Sequence, residues 1–210
     1  MHLQTIFNSF LKGLPFVMGL FFSSFSHAQK KNLPVTVSAF NQATSMPFSK
    51  FFTAPIHPGL AISSEFNYSK APKRSRLFQT LGGSYYYHRY LNQAITFFSE
   101  LGYEFRTKPG VEIAALLGVG YMCSFRTATE YSFKNGSYTS SKNGGVGRFT
   151  PSFSLETGYY LFPEKQTSPK LFARYQVWVE YPFSPDFIDL MPHTNVHLGI
   201  KFLMGSNNQQ

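Results

Sequence analysis

One cysteine, Cys123, stands in the whole 210-residue chain. A single thiol cannot close an intramolecular disulfide, and multi-cysteine zinc frameworks are equally out of reach. Charge is scarce too: 14% of residues are Asp, Glu, Lys or Arg, against ~25% in ordinary soluble domains. Beyond residue 28 no run approaches ~18 consecutive apolar side chains, so no helix is encoded that could span a bilayer. Nor does the chain contain a G-x-S-x-G, H-E-x-x-H or P-loop motif. Aromatics, in contrast, are abundant. With 24 Phe and 13 Tyr they make up 18% of the residues, too many for a disordered chain. Cations outnumber acids by 19 to 10, a net charge of +9. That balance suggests nucleic acid only if a recognition motif accompanies it, and none does.

Residues 1–28 read as a secretory signal peptide. Lys12 closes a short basic region, an apolar stretch covers 14–22, and Ser26 and Ala28 occupy the small positions of a cleavage site. The apolar stretch is too short for a membrane anchor. No cysteine follows it to take a lipid. The mature chain, 29–210, is expected to form one domain in an oxidising compartment, with Cys123 a packing residue.

Its dominant period is two. In 60–68, Leu60, Ile62, Phe66 and Tyr68 alternate with Ala61, Ser63, Glu65 and Asn67. The windows 95–106, 111–122, 149–161, 171–181 and 196–202 alternate in the same way, and 33–40 and 77–87 give two weaker strands. About eight strands result, each near the ~9–11 residues that cross a bilayer at a tilt. Connections at 69–76, 107–110 and 162–169 are short. Those at 41–58, 124–147 and 182–192 are long, and 88–93 is brief. Pro109-Gly110 suits the centre of a type II turn, and Asn135-Gly136 suits a hairpin inside the longest loop. Short turns beside the termini and long loops opposite are the pattern of an outer-membrane barrel.

A soluble barrel would also alternate, but its polar face would be rich in Lys, Thr and Gln. Here that face carries Gly, Ser, Ala and six of the ten acids: Glu65, Glu100, Glu104, Glu112, Glu156 and Glu180. Arg106, Arg174 and Lys201 share it. This composition fits a narrow lumen in which carboxylates meet cations, with an excess of carboxylates. The remaining bases, including Arg76, Arg148 and Lys170, are assigned to turns and loops, with external cations placed to contact lipopolysaccharide phosphates. The apolar face carries Leu, Ile and Val in mid-strand, with Tyr68, Tyr103, Phe105, Tyr121, Tyr159 and Tyr181 near strand ends, as an interfacial girdle does. The expected fold is therefore all-β: a transmembrane antiparallel up-and-down barrel of about eight strands.

The segments P-I-H-P-G-L (55–60) with Glu65-Phe66, and N-V-H-L-G-I-K-F (195–202), resemble those of small outer-membrane barrel proteins of Gram-negative bacteria, of the OmpA-membrane-domain and OmpW-like kind. The resemblance implies an outer-membrane location. It also implies recognition by the barrel-assembly machinery through Val196, Leu198, Ile200 and the aromatic Phe202, although eight residues follow Phe202. It implies no particular reaction.

Candidate chemistry is sparse. His57, His88 and His193, with Asp186 and Asp189, fall near the external rim and have the residue types of a transition-metal or ligand site, without the spacing of a tight motif. Hydrogen bonding to loops is the plainer role. Ser63 or Ser64 with Glu65 and His57 supplies the residue types of a hydrolytic triad, again without a motif. The expected function is structural or surface-interacting, with outer-membrane lipids and lipopolysaccharide as partners and a packed polar lumen. A narrow solute channel is the second reading and a lipid-modifying enzyme the third. No cofactor and no nucleic-acid partner are expected.

Overall fold

The computed structural model describes residues 33–49, 54–68, 74–89, 91–107, 110–127, 131–134, 136–140, 145–162, 168–184 and 187–204. The expected signal peptide and Asp186 lie outside these residues. Ten strands are formed among the described residues: β1 (Leu33–Ala43), β2 (Pro58–Asn67), β3 (Ser75–Tyr87), β4 (Asn92–Arg106), β5 (Val111–Arg126), β6 (Tyr131–Lys134), β7 (Ser137–Ser140), β8 (Val146–Tyr160), β9 (Lys170–Glu180) and β10 (Met191–Met204). Eight of them close into one barrel in the order β1-β10-β9-β8-β5-β4-β3-β2. Every neighbouring pair is antiparallel. The seam is formed by β1 on β10, from Leu33 opposite Met204 to Ala43 opposite Thr194. Closure leaves no strand edge in the wall, as lipid requires of a spanning sheet.

The pleat sorts the side chains. Along β5, Glu112, Ala114, Leu116 and Met122 are buried, while Val111, Ile113, Leu117, Val119 and Tyr121 are exposed. The other strands follow suit. The wall's outside carries Leu60, Ile62, Ile95, Leu101, Leu155 and Leu198, and the buried inside carries all six strand glutamates. A soluble protein distributes these residues the other way. Lipid accounts for the inversion: outward positions meet hydrocarbon, and the interior is the only place for charge. Tyr68, Tyr103, Phe105 and Tyr159 face outward at the end bearing the short turns, and Tyr85, Tyr121, Phe149 and Tyr181 at the end bearing the long loops. Amphipathic rings at those two levels form the girdles.

Two local expectations are revised. Gly110 has φ 87°, and its amide donates to the Thr107 carbonyl at 3.2 Å. Gly110 is therefore the fourth residue of the turn and supplies the left-handed step after it, as in three-residue hairpin loops. Arg76, Arg148 and Lys170, expected in turns and loops, lie within β3, β8 and β9 and turn inward. In the longest loop β6 pairs with β7 as a separate two-stranded sheet, while Asn135 of the expected Asn135-Gly136 turn lies outside the described residues.

Close packing also governs the interior. Phe78, fully buried, lies opposite Gly102, and a Cβ on Gly102 would overlap the Phe78 ring. Gly102→Ala is expected to destabilise the barrel by about 1–3 kcal/mol through overpacking. Adding Phe78→Leu should recover part of the loss. Guanidinium titration of the folded barrel in detergent checks both; equal stability of Gly102→Ala and wild type would refute the packing.

Candidate functional site

The lumen is built in three layers. Nearest the short turns is an ionic layer. Arg174 on β9 joins Glu100 on β4, at 2.9 Å, to Glu156 on β8, at 2.7 Å. Lys170 pairs with Glu156 at 2.7 Å and also with Glu112. Lys201 on β10 pairs with Glu65 on β2 and lies 3.8 Å from Glu156. Arg76 pairs with Glu104 and, at 3.3 Å, with Glu65. Glu156 thus accepts from several cations at the centre of the set. The carboxylate excess expected from the sequence shrinks because Arg76 and Lys170 join this layer, and Arg148 pairs with Glu180 nearer the loops. Arg106, assigned to the same network, stacks on the Tyr160 ring at 3.9 Å beside the turns.

Above this layer lies a chamber of about 50 Å3, lined by Thr36, Ser38, Ser63, Ser84, Thr96, Thr150 and Ser152, with Asn195, His197, Gln176 and Arg174. Ser38 and His197 share a hydrogen bond at 3.2 Å. The Asn195 amide donates to Gln176 Oε1 at 2.8 Å, and Gln176 donates to Glu100 at 3.2 Å. Such a volume suits a few waters, at ~10–15 Å3 each, and no larger solute.

The third layer closes the loop end. Phe40, Tyr86, Met122 and Trp178 cluster above the chamber. His193 stacks on Trp178, with centroids 4.1 Å apart, and its Nε2 meets Glu180 Oε2 at 3.0 Å. Its Nδ1 is 2.8 Å from Gln42 Nε2 and 3.2 Å from Thr44 Oγ1. The amide can only donate, so His193 Nδ1 is the acceptor and Nε2 carries the proton toward Glu180. His57, on the β1–β2 connection, stacks on His88, on the β3–β4 connection, with centroids 3.5 Å apart and planes 12° from parallel. The His57 amide donates to Asn41 Oδ1 at 2.8 Å, and its Nε2 is buried without a hydrogen-bond partner. The Leu91 amide donates to His88 Nδ1 at 3.2 Å, a bond only an unprotonated nitrogen accepts. Burial, then the neighbouring His57 and His193, push the His88 ring down to about 4 from its ordinary 6.5.

The three rim histidines are therefore brought to one layer. Their geometry is not that of a chelate. Imidazole lone pairs lie in the ring planes, and two nearly parallel planes do not aim both nitrogens at one ion. Among the described residues no group of three or more His, Cys, Asp or Glu is placed to hold a metal. Asp189 sits in the β9–β10 connection, where its carbonyl accepts from Phe183 at 2.9 Å. The triad residue types are also kept apart. His57 precedes β2 at the loop end, Glu65 lies near the other end of that strand, roughly 26 Å away at ~3.3 Å per residue, and Ser64 donates to the Pro34 carbonyl. His197, which links the chamber to Gln176, carried no spacing signal; only its place in the strand alternation pointed inward.

No family model matches the chain, and no curated protein matches it. Solved structures do. Neisserial surface protein A is 10% identical with a TM-score of 0.49, over 83% of this chain and 98% of that one. The outer membrane enzyme PagL is 11% identical with a TM-score of 0.48, over 81% and 99%. Ail, the attachment invasion locus protein of Yersinia pestis, is 11% identical with a TM-score of 0.44, over 81% and 95%. This chain is a closed eight-stranded antiparallel barrel. That assignment rests on the hydrogen-bonded closure and the inverted faces, not on the likenesses.

Proposed function

We propose that the protein is an outer-membrane barrel that acts through its loop end, with a lumen packed too tightly to pass solutes. The observation that carries this reading is the Arg174 bridge between Glu100 and Glu156, which crosses the lumen from β9 to β4 and β8. Eight-stranded barrels are narrow enough for side chains alone to fill them. The even strand number, the short turns on one side and the longer loops on the other support an outer-membrane setting. At the loop end the β6–β7 hairpin stands outside the wall with Tyr138 74% exposed, and Phe187 in the β9–β10 connection is 85% exposed. Exposed aromatics on protruding segments fit a surface-interaction role, with lipopolysaccharide phosphates as counterparts for nearby cations such as Arg89 and Arg126.

The test is conductance. Wild-type barrel inserted into a planar bilayer is expected to give no stepwise openings at neutral pH. Discrete openings would overturn the closed-lumen reading in favour of a narrow channel, and altered lipid A on overexpression would favour an enzyme.

A further inference from the structure

The outer wall carries a groove down β1, and strand register sets its three levels. Val196, Asn41 and Pro58 form the upper level, Leu198, Ala39 and Leu60 the middle, and Ile200, Val37 and Ile62 the lower. At the middle and lower levels the β1 side chain is smaller than both neighbours: Ala between two Leu, and Val between two Ile. At the upper level Asn41 is buried, its Oδ1 taken by the His57 amide at 2.8 Å. Leu198 and Leu60 stand 67% and 63% exposed as the banks. The hollow between them measures about 590 Å3 in its upper part and 550 Å3 in its lower part, and the two parts share Ala39, Leu60 and Leu198. The β1–β2 connection straddles the upper end. On one side Phe48 packs on the Tyr175 ring, with centroids 5.3 Å apart, and its amide donates to the Tyr175 hydroxyl at 3.0 Å. Ser45 and Thr194 share a hydrogen bond at 2.9 Å on the same side. On the other side Ile56 lines the hollow with Pro58 and Tyr87. We propose that this groove seats one acyl chain of lipid A, the lipid part of lipopolysaccharide, with the phosphate-bearing head beside Arg89. The inference rests on the outer-membrane reading, which places lipopolysaccharide around the loop half of the wall.

A hydrocarbon chain fits what the groove is made of. From Asn41 to Val37 the groove runs roughly 13 Å at ~3.3 Å per residue, close to the ~15 Å that one leaflet contributes to the hydrocarbon core. Its lining is almost wholly apolar. A polypeptide segment would bury amides there without partners, a cost that a hydrocarbon chain does not incur. A second copy of the barrel fits no better. A twofold contact places the same patch on both partners, and two hollows face to face leave a void. In lipid no hydrophobic force favours one apolar surface over another, so a seated chain is distinguished by its packing. Within the groove it touches a floor and two banks, where a chain elsewhere on the wall touches one surface. Charge fixes the head. The outward positions of β3 run Tyr85, Tyr87, and Arg89 follows two residues beyond them, exposed. At that level a guanidinium offers a lipid phosphate charge-assisted hydrogen bonds.

The experiment is native mass spectrometry of the full-length barrel, released from phosphatidylcholine vesicles that contain a minor fraction of lipid A. Wild type is expected to keep one lipid A at a collision energy that strips phosphatidylcholine. Ala39→Trp fills the groove with an indole and should lower the retained lipid A several-fold. Ala115→Trp, at an exposed position of β5 on another part of the wall, should retain it as wild type does. Arg89→Gln should lower retention part of the way. A heat-modifiable gel shift shows which variants fold. If Ala39→Trp does not, Leu60→Ala/Leu198→Ala decides: both side chains are exposed, their loss lowers both banks, and retention should again fall several-fold. No lipid A on wild type, phosphatidylcholine retained equally well, or a lipid-free dimer in place of the lipid-bound barrel overturns the proposal. So does retention unaffected by Arg89→Gln or by the groove variants. Recovery of the chain in the outer-membrane fraction tests the setting on which the proposal rests. Conductance does not depend on the outer wall, so a non-conducting barrel that keeps no lipid A would remove the groove and leave the closed-lumen reading standing.

Discussion

Glu156→Ala is expected to destabilise the folded barrel by about 3–5 kcal/mol, the cost of breaking a buried ion network by removing the carboxylate its cations share. The effect is large because one carboxylate serves three elements. Its oxygens accept from Arg174 and Lys170 on β9, and Lys201 on β10 lies within 3.8 Å. All four groups are buried. Truncating Glu156 removes the carboxylate that the three cations share and leaves each with one, Glu100, Glu112 or Glu65, in a lumen too small to admit bulk water. Glu156→Gln keeps the shape and an acceptor while removing the charge, so an intermediate loss is expected. Guanidinium unfolding in detergent micelles, followed by the mobility of folded and unfolded barrel on gels, gives both values. A loss below about 1 kcal/mol for Glu156→Ala would mean that these cations are solvated, and the packed-lumen picture would fall with it.

Leu117→Arg is expected to cost about 2–4 kcal/mol when the barrel folds into lipid, the penalty for a cation at the bilayer midplane. Leu117 lies in the middle of β5, opposite Leu101 of β4 and Phe153 of β8, and is 65% exposed. On a water-facing wall the same change would be neutral and would improve solubility, since exposed leucine gains little from its surroundings. The position thus separates lipid from water as the medium around the barrel. A matched substitution nearer the girdle, Ile113→Arg, should cost less, because the long side chain can reach the headgroups. Folding titrations into vesicles, read by gel mobility, would show this depth dependence. Equal and negligible effects at both positions would rule out a lipid-facing wall.

The wall was legible in the sequence because a closed barrel in lipid imposes one rule on every strand. Period-two alternation in 111–122 or 171–181 leaves little choice of which residues face in, and the inverted composition of the faces names the solvent. Strand ends were less legible. β1 runs to Ala43 rather than Phe40 because Asn41, Gln42 and Ala43 pair with β10, and the polar Asn41 and Gln42 resemble a loop in sequence. Lys170 was misplaced for a related reason. A lysine after Ser-Pro reads as a turn residue, yet Glu112 and Glu156, distant in sequence, make the first position of β9 an interior one. Ion pairs across a barrel are contacts between residues far apart in the chain, and local pattern carries no record of them. The His57–His88 stack follows instead from register: β2 and β3 pair up to Gly59 opposite Tyr86, and two positions further on His57 faces His88.

The pairing of Lys201 with Glu65 has a consequence for assembly. Lys201 lies on the last strand, Glu65 on the second, and β1 stands between them in the wall. The two charges meet only when the first and last strands zip together. Until then a nascent sheet in the membrane would present hydrocarbon with an open hydrogen-bonding edge and with unneutralised ions on what will become its inner surface. Both penalties vanish in the same event. The seam is therefore a commitment point: a chain that has inserted but not closed has no shallow resting place in the bilayer, and closure must run to completion or be reversed.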